Sequence, residues 1–342
     1  DPVVAVNELA AGLGRDADAL LFFCSASYDL PRLGAALKAA FPGPVAGCTS
    51  SGQIGPDGFT KGGITAVSLS GGAVKLHPFF LAPLAECRAG AARLADTIRC
   101  LGHADGERSF GVILVDGLSM AEEKLTAALY QSLGNVPIIG GSAGDDLAFE
   151  RTHVYHDGAF HTDAALFLLF DTALPFTTFR FQHFRPTETR LVVTKADPAR
   201  RIVYEINGEP AAEAYAAAIG TDVASLSATV FSGHPVMINI GGEYYVRSFH
   251  SLHPDGGLAL FCAIEEGLVL RVAEGVDAMA TLEGAFADLH QRVGPPAFVL
   301  GCDCILRRLE FEERGVAAQV GRFMADHHVI GSSTYGEQFN AV

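Results

Sequence analysis

Cys302-Asp303-Cys304 has the most direct chemical meaning of any arrangement in this chain of 342 residues. Two cysteines at i and i+2 on a strand project from one face and offer paired sulfurs to a soft metal such as zinc, or to redox exchange. Two ligands fall short of a closed zinc site, so a structural role stands beside the chemical one. Gly140-Gly141-Ser142-Ala143-Gly144 fits the Gly-x-Ser-x-Gly pattern of a nucleophilic serine. That mechanism needs a helix directly after the serine. Here Asp145 to Phe149 lead instead toward alternating residues that end at Tyr155, which reads as loop and strand. Phosphate cradling fails on the same ground, and no Walker lysine is present. The twelve histidines include His153-x-x-His156 and His250-x-x-His253, spacings that say little about metal binding on strands or loops. His327-His328 suits the end of a helix, where a cation complements the dipole. No Cys-x-x-Cys-His occurs, which excludes covalently attached haem. A b-type haem needs one neutral histidine in an apolar pocket, which spacing cannot reveal.

The elements that must position these residues come in three similar stretches, each an apolar strand, an amphipathic helix, a second apolar strand and a small-residue turn. The first has Ala19 to Cys24, a helix carrying Leu30, Leu33, Ala36, Leu37 and Phe41, and Val45-Ala46 before Gly47-Cys48-Thr49-Ser50-Ser51-Gly52-Gln53. The second has Val112 to Val115, helical spacing through Leu125, Ala128, Leu129 and Leu133, and Val136 to Ile139 before Gly140 to Asp145. The third has Phe298 to Leu300, then Val316, Val320, Phe323 and Met324, then Val329-Ile330 before Gly331-Ser332-Ser333-Thr334-Tyr335-Gly336-Glu337. Strand, crossover helix and strand predict parallel pairs covered by helices. The fold class is therefore α/β or mixed α+β, with helices covering mixed sheets. Further strands are expected after the first two turns, at Ile64 to Leu69, Thr152 to Tyr155 and Ala164 to Phe170. The third copy shows none before Val342, which leads to the expectation of a native C-terminal strand or tail beyond it.

Between the second and third copies, Phe176 to Phe184, Leu191 to Thr194 and Ile202 to Glu205 read as strands, Asn207-Gly208 as a turn and Pro210 to Tyr215 as a helix. Tyr244 to Phe249, Leu258 to Ala263 and Leu268 to Val272 read as strands, and about 277 to 293 as a helix. The length favours two lobes. We place the boundary near Asp171, giving domains 1–171 and 172–342.

Hydrophobic residues make up 49% and charged ones 18%, the balance of a well-buried protein. No apolar run approaches the roughly 20 residues of a membrane helix, and the start carries no basic-then-apolar leader. The chain reads as cytoplasmic, or as trimmed at its beginning. A net charge of −15 argues against nonspecific binding to nucleic acid or anionic membrane. The basic doublets Arg200-Arg201 and Arg307-Arg308 read as solvated pairs. Seven cysteines without a secretory leader argue against a disulfide framework. Cys24, Cys87, Cys100 and Cys262 read as small core residues.

The turns Gly-Cys-Thr-Ser-Ser-Gly-Gln and Gly-Gly-Ser-Ala-Gly-Asp-Asp, with the closing Ser-Thr-Tyr-Gly-Glu, resemble the FIST family of bacterial sensory domains, across both its N-terminal and C-terminal parts. Gln182 to Thr187, Tyr204 to Asn207, Tyr245 to Ser248 and Gly301 to Arg308 look similar to a subgroup of nitric-oxide-sensing haem proteins. The resemblance implies a non-enzymatic sensor that binds haem b and nitric oxide and regulates a partner histidine kinase or cyclic-di-GMP enzyme, in two-component or biofilm signalling. Whether it forms a homodimer stays open. Under that reading His183, at the end of the Phe-rich segment with Phe179 and Phe181, is the leading haem ligand, with His234 and His250 behind it. Arg185, Tyr245 and Arg247 would hold the propionates. The rival is a small, amino-acid-like metabolite, with Arg185 or Arg247 on its carboxylate and Asp145 or Glu337 on its ammonium. A thiol or zinc switch at Cys302 and Cys304 is the third reading.

Overall fold

Each repeat forms the parallel pair its pattern predicts. In the computed structural model, which describes residues 1–14, 16–103 and 106–340, Ala19–Ser25 pairs with Val45–Ser50 and is joined to it by the helix Leu30–Ala40. Ser109–Val115 pairs with Ile138–Ser142 through Glu122–Leu133, and Val299–Cys304 pairs with Val329–Thr334. The third connection holds two helices, Ile305–Glu313 and Ala317–Asp326, of which the repeat pattern showed the second. Helix Leu30–Ala40 starts where Asp29 accepts a hydrogen bond from Arg32 N at 3.1 Å. It buries Leu33, Leu37 and Ala40, one stripe at helical spacing.

All seven residues of Ala19–Ser25 are buried, because both faces of its sheet are covered. Leu20, Phe22 and Cys24 pack with Leu33, Leu37 and Val6 on the helical side. Leu21 and Phe23 pack with Val112, Leu114, Leu166 and Leu168 of the second repeat's sheet. Ile113, Val115 and Phe167 in turn face Leu125, Leu129 and Leu94 of the next helices. Helix, sheet, sheet and helix form four layers, and the strands read as unbroken apolar runs for that reason.

The strand that follows each turn joins the sheet of another repeat. Gln53–Gly55, after the first turn, pairs with Val329–Thr334 of the third repeat. Val154–His156, after the second, pairs with Val45–Ser50 of the first. Glu337–Asn340, after the third, pairs with Ile138–Ser142 of the second. The exchange is cyclic. It corrects the expectation that the third turn has no continuing strand, since four residues suffice to cover the exposed edge of the second sheet.

Two compact units divide the chain: 1–179 with 289–305 and 317–342, and 180–288 with 306–316. The second unit is built on an antiparallel sheet with strand order Glu243–Arg247, Val236–Ile240, Val269–Gly275, Phe184–Asp197, Ile202–Ile206, Leu258–Leu260 and Phe249–Leu252, and Glu209–Pro210 attached to Ile202–Ile206. The 14-residue strand Phe184–Asp197 pairs with Val269–Gly275 along its first half and Ile202–Ile206 along its second, with register shifts that bend it. Asn207 (φ 56°) and Gly208 (φ 81°) make the turn expected of that dipeptide. Helix Ala211–Ile219 begins after Pro210 and seals the core with Tyr215. Phe176 to His183 is not a strand, contrary to the alternation read there. Phe181 O accepts instead from Arg307 Nη1 at 2.9 Å, so a side chain takes the bond a neighbouring strand would have made. Among the described residues no helix is long and apolar enough to cross a membrane.

Candidate functional site

The three turns meet in the first unit and are tied to one another by backbone hydrogen bonds that repeat around a ring. Counting from Gly47, Gly140 and Gly331, the fifth residue of each turn donates its N–H to the carbonyl of the third residue of another. These bonds are Ser51 to Ser333 at 3.0 Å, Tyr335 to Ser142 at 3.2 Å and Gly144 to Thr49 at 3.1 Å. The third residue donates back to the sixth in two cases, Ser333 to Gly52 and Ser142 to Gly336, both at 2.8 Å. In the remaining case Thr49 N reaches His153 O at 2.9 Å, because the chain makes an excursion after Asp145. The sequence-level turns are thus mostly strand ends. Their first glycines serve close approach: a Cβ at Gly47, Gly140 or Gly331 would lie 2.4, 2.3 or 1.8 Å from the carbonyl oxygen of Phe22, Ile113 or Gly301.

Small polar residues fill the ring's interior, with Thr49, Ser50, Ser51, Gln53, Ser142, Asp145, Ser332, Ser333, Thr334 and Gln338 all buried. Asp145 anchors the excursion. Its carboxylate accepts from Phe149 N at 2.9 Å, Glu150 N at 2.7 Å and Arg151 N at 2.8 Å, and from the hydroxyl of Tyr335. Burial, reinforced by Asp145, pushes the Tyr335 phenol well up, so it stays a donor. With four donors on its two oxygens, the acceptor capacity of Asp145 is filled from within the protein. Glu337 accepts from Thr334 Oγ1 at 2.7 Å. Ser142 ends a strand, its Oγ accepts from Gln338 Nε2 at 3.0 Å, and loop rather than helix follows it. Burial raises the Cys302 thiol to about 12, with Glu337 and Asp303 adding to the shift, so the nucleophilic and metal-binding thiolate is disfavoured. Among the described residues no three of His, Cys, Asp and Glu gather as a metal-ligand group at Cys302 and Cys304 or elsewhere.

In the second unit His183 is 1% exposed and lies just before the long strand rather than at the end of one. Its Nε2 is 2.5 Å from Glu310 Oε2, and Arg314 Nη2 is 2.9 Å from the other oxygen of that carboxylate. The rings of Phe181, Phe184 and Phe311 surround the imidazole with centroids at 5.7, 4.3 and 5.4 Å. Nδ1 is buried and meets no hydrogen-bond partner among the described residues. The sequence reading missed Glu310 and Arg314; the i,i+4 spacing of opposite charges on Ile305–Glu313 and just beyond was the available signal. It also misread the doublets. Arg308 is 3% exposed and lies 3.2 Å from Glu312, Arg307 stacks on Phe181, and Arg201 is buried with its guanidinium on Phe261 O.

The other expected site residues do not join His183. Arg185 is exposed and pairs with Glu274 at 2.8 Å. Tyr245 lies under the Arg180 guanidinium at 4.7 Å, and Arg247 stands opposite Val236 in the sheet. His234 is exposed, with Nδ1 3.2 Å from Val230 O. His250 packs on Phe261 at 4.6 Å, and burial lowers its pKa to about 4, which keeps it neutral. Grooves open elsewhere among the described residues. One, of about 200 Å³, is lined by Leu81, Pro83, Cys87 and Leu94; another, of about 320 Å³, by Arg190, Tyr244 and Arg271.

A model of the FIST N domain matches residues 18–209, and one of the FIST C domain matches residues 211–340. The uncharacterized protein MJ1623 of Methanocaldococcus jannaschii is 30% identical over 105 residues, 31% of this chain and 20% of that protein. The chain thus matches a fifth of that relative's length.

Proposed function

Since the chain belongs to the FIST family and carries both its N and C domains, we propose that it is a sensory module that detects a small ligand and signals to a separate partner, such as a histidine kinase or cyclic-di-GMP enzyme. Beside the family, one observation carries the reading. The buried His183–Glu310 pair fastens the segment that leads into the long strand of the second unit to helix Ile305–Glu313. A ligand that favours the pair made or broken would shift two arrangements of that strand, the kind of differential interaction a sensor requires.

Haem with nitric oxide is the finer version of this reading, and it needs both a donor and space. The donor is suitable: Glu310 holds one imidazole nitrogen, as carboxylates do for metal-bound histidines, and the other is unpaired. The space is not. Three phenylalanine rings pack around His183, and neither groove described above is lined by it. As arranged, these residues do not fit a porphyrin, and the small-metabolite form of the sensory reading is favoured.

Titration of the purified protein with haemin, followed by reduction and nitric oxide, tests the choice. The metabolite reading expects the spectrum of free haemin throughout, alongside a thermal shift with members of a small-metabolite panel. A stoichiometric Soret band that is lost in His183→Ala and moves with nitric oxide would replace it with gas sensing.

A further inference from the structure

The outer face of the second unit's sheet places two arginines directly opposite each other. Arg190 on Phe184–Asp197 is the register partner of Arg271 on Val269–Gly275, so both guanidinium groups rise from one face. Like charges facing across a strand pair repel, and the arrangement stands in a chain of net charge −15. Neighbouring Leu270 and Val272 point the other way, into the core. Arg271 is held in place: its Nη1 donates to Thr187 O at 3.0 Å and lies 3.4 Å from Glu188, while its guanidinium sits 5.9 Å from the centre of the Tyr244 ring. That leaves most of its five N–H donors uncommitted. Arg190 is exposed, and among the described residues no carboxylate pairs with its guanidinium.

These two arginines open onto the groove of about 320 Å³, the lower end of the range for small-molecule sites. Val269 and the Tyr244 ring form its apolar wall on the arginines' face, and Ile238 and Leu268, which pack mainly against the core, close its edge. Asn239 adds an amide whose oxygen already accepts from Gly242 N at 3.2 Å. Among the described residues no Asp or Glu lines the groove.

We propose that this groove binds a small organic anion, a carboxylate or phosphate attached to a flat apolar body. The anion lies between Arg190 and Arg271 and relieves their repulsion through charge-assisted hydrogen bonds. The flat body covers Tyr244 and the aliphatic wall. Among the described residues the groove's lining offers no carboxylate to an ammonium, and Glu188 beside it is engaged by Arg271, which distinguishes this site from one built for free amino acids. As the stimulus site of the sensory module it rests on that reading; as a binding site it stands on the groove alone.

Isothermal titration of the full chain with benzoate, phenyl phosphate, benzamide and phenylalanine tests it. Benzoate and phenyl phosphate are expected to bind saturably at one per chain, and benzamide and phenylalanine at least about tenfold more weakly, since each leaves the arginines without a net anion. Arg190→Gln, an exposed change that leaves the fold intact, is expected to weaken benzoate about tenfold, as is Arg271→Gln. Tyr244→Leu removes the stacking ring and weakens both anions severalfold. Equal binding of benzamide and benzoate overturns the proposal, as does undiminished binding by an Arg190→Gln, Arg271→Gln double variant with a native melt. The histidine resonance of His183 separates the two readings. Anion binding that leaves it unmoved upholds the groove and overturns its role as the stimulus site. A shift of that resonance by another metabolite, with no anion binding, upholds the sensory reading and overturns the groove.

Discussion

Tyr335, in the turn of the third repeat, donates its hydroxyl to Asp145, the residue at which the second turn leaves the ring. The same oxygen accepts from Leu147 N at 3.0 Å, so one phenol both closes the ring and holds the excursion that interrupts it. Phe149 stacks on the Tyr335 ring at 4.7 Å and covers the contact. A carboxylate 4% exposed is tolerated here because its oxygens receive donors from its own loop and from another repeat.

Replacing Tyr335 by Phe keeps the stacking and removes the hydroxyl, which takes a donor from buried Asp145 and an acceptor from Leu147 N. The expected loss is about 1–3 kcal/mol. Urea unfolding checks it, and an unchanged midpoint with an unchanged slope would mean that water replaces the phenol at no cost.

Gly47→Ala, Gly140→Ala and Gly331→Ala are each expected to destabilise strongly, because the new methyl meets a backbone carbonyl that cannot move without parting the strand pair. Gly284→Ala is the control. It lies exposed on the helix Ala278–Val293 with nothing within 4 Å of the added Cβ, and gains up to about 1 kcal/mol of helix propensity. Thermal melts of the four variants would contradict this reading if the strand glycines behaved like Gly284.

Glu310→Gln keeps the shape of the His183 contact but removes the charge that Arg314 also faces. A loss of about 3 kcal/mol is expected for breaking a buried pair on one side. If Glu310→Gln and His183→Ala each destabilise and the double variant costs no more than either alone, the two act as a unit; fully additive losses would refute that.

Stability is expected to fall on both sides of neutrality. Burial holds His250 at about 4, below the ordinary imidazole value, so the unfolded chain takes up a proton first and stability is lost as pH drops from about 6.5 toward 4. Burial holds the Cys302 thiol near 12, so the folded chain keeps a proton the unfolded one releases, and stability is lost as pH rises from about 9 toward 12. Denaturant midpoints measured across pH report both slopes. His250→Phe should reduce the acid slope, to which His77, His153 and His156, also lowered by burial, contribute, and Cys302→Ala the alkaline slope, which Cys24 and Cys48 share.

The three repeats were legible because each carries its information locally. Ala19 to Cys24 is apolar at every position and too short for a free helix, while Leu33 and Leu37 recur at helical spacing. The Phe-rich segment before His183 misled for the opposite reason. Its alternation is real, but strand formation needs a neighbouring backbone, and Phe181 found Arg307 instead. Glu310 went unread because its role comes from burial against His183, a contact across 127 positions.

The sequence by itself determined the three parallel strand pairs, one helix in each crossover and the polar character of the turns, because periodicity and residue size act over a few neighbouring positions. Only the tertiary structure decided that each turn sends its strand to another repeat, that Asp145 is saturated, that His183 meets Glu310, and that Arg190 faces Arg271 over an open groove. Each of these depends on which distant segment fills the space beside a residue, and burial, charge and hydrogen bonding take their meaning from that neighbour.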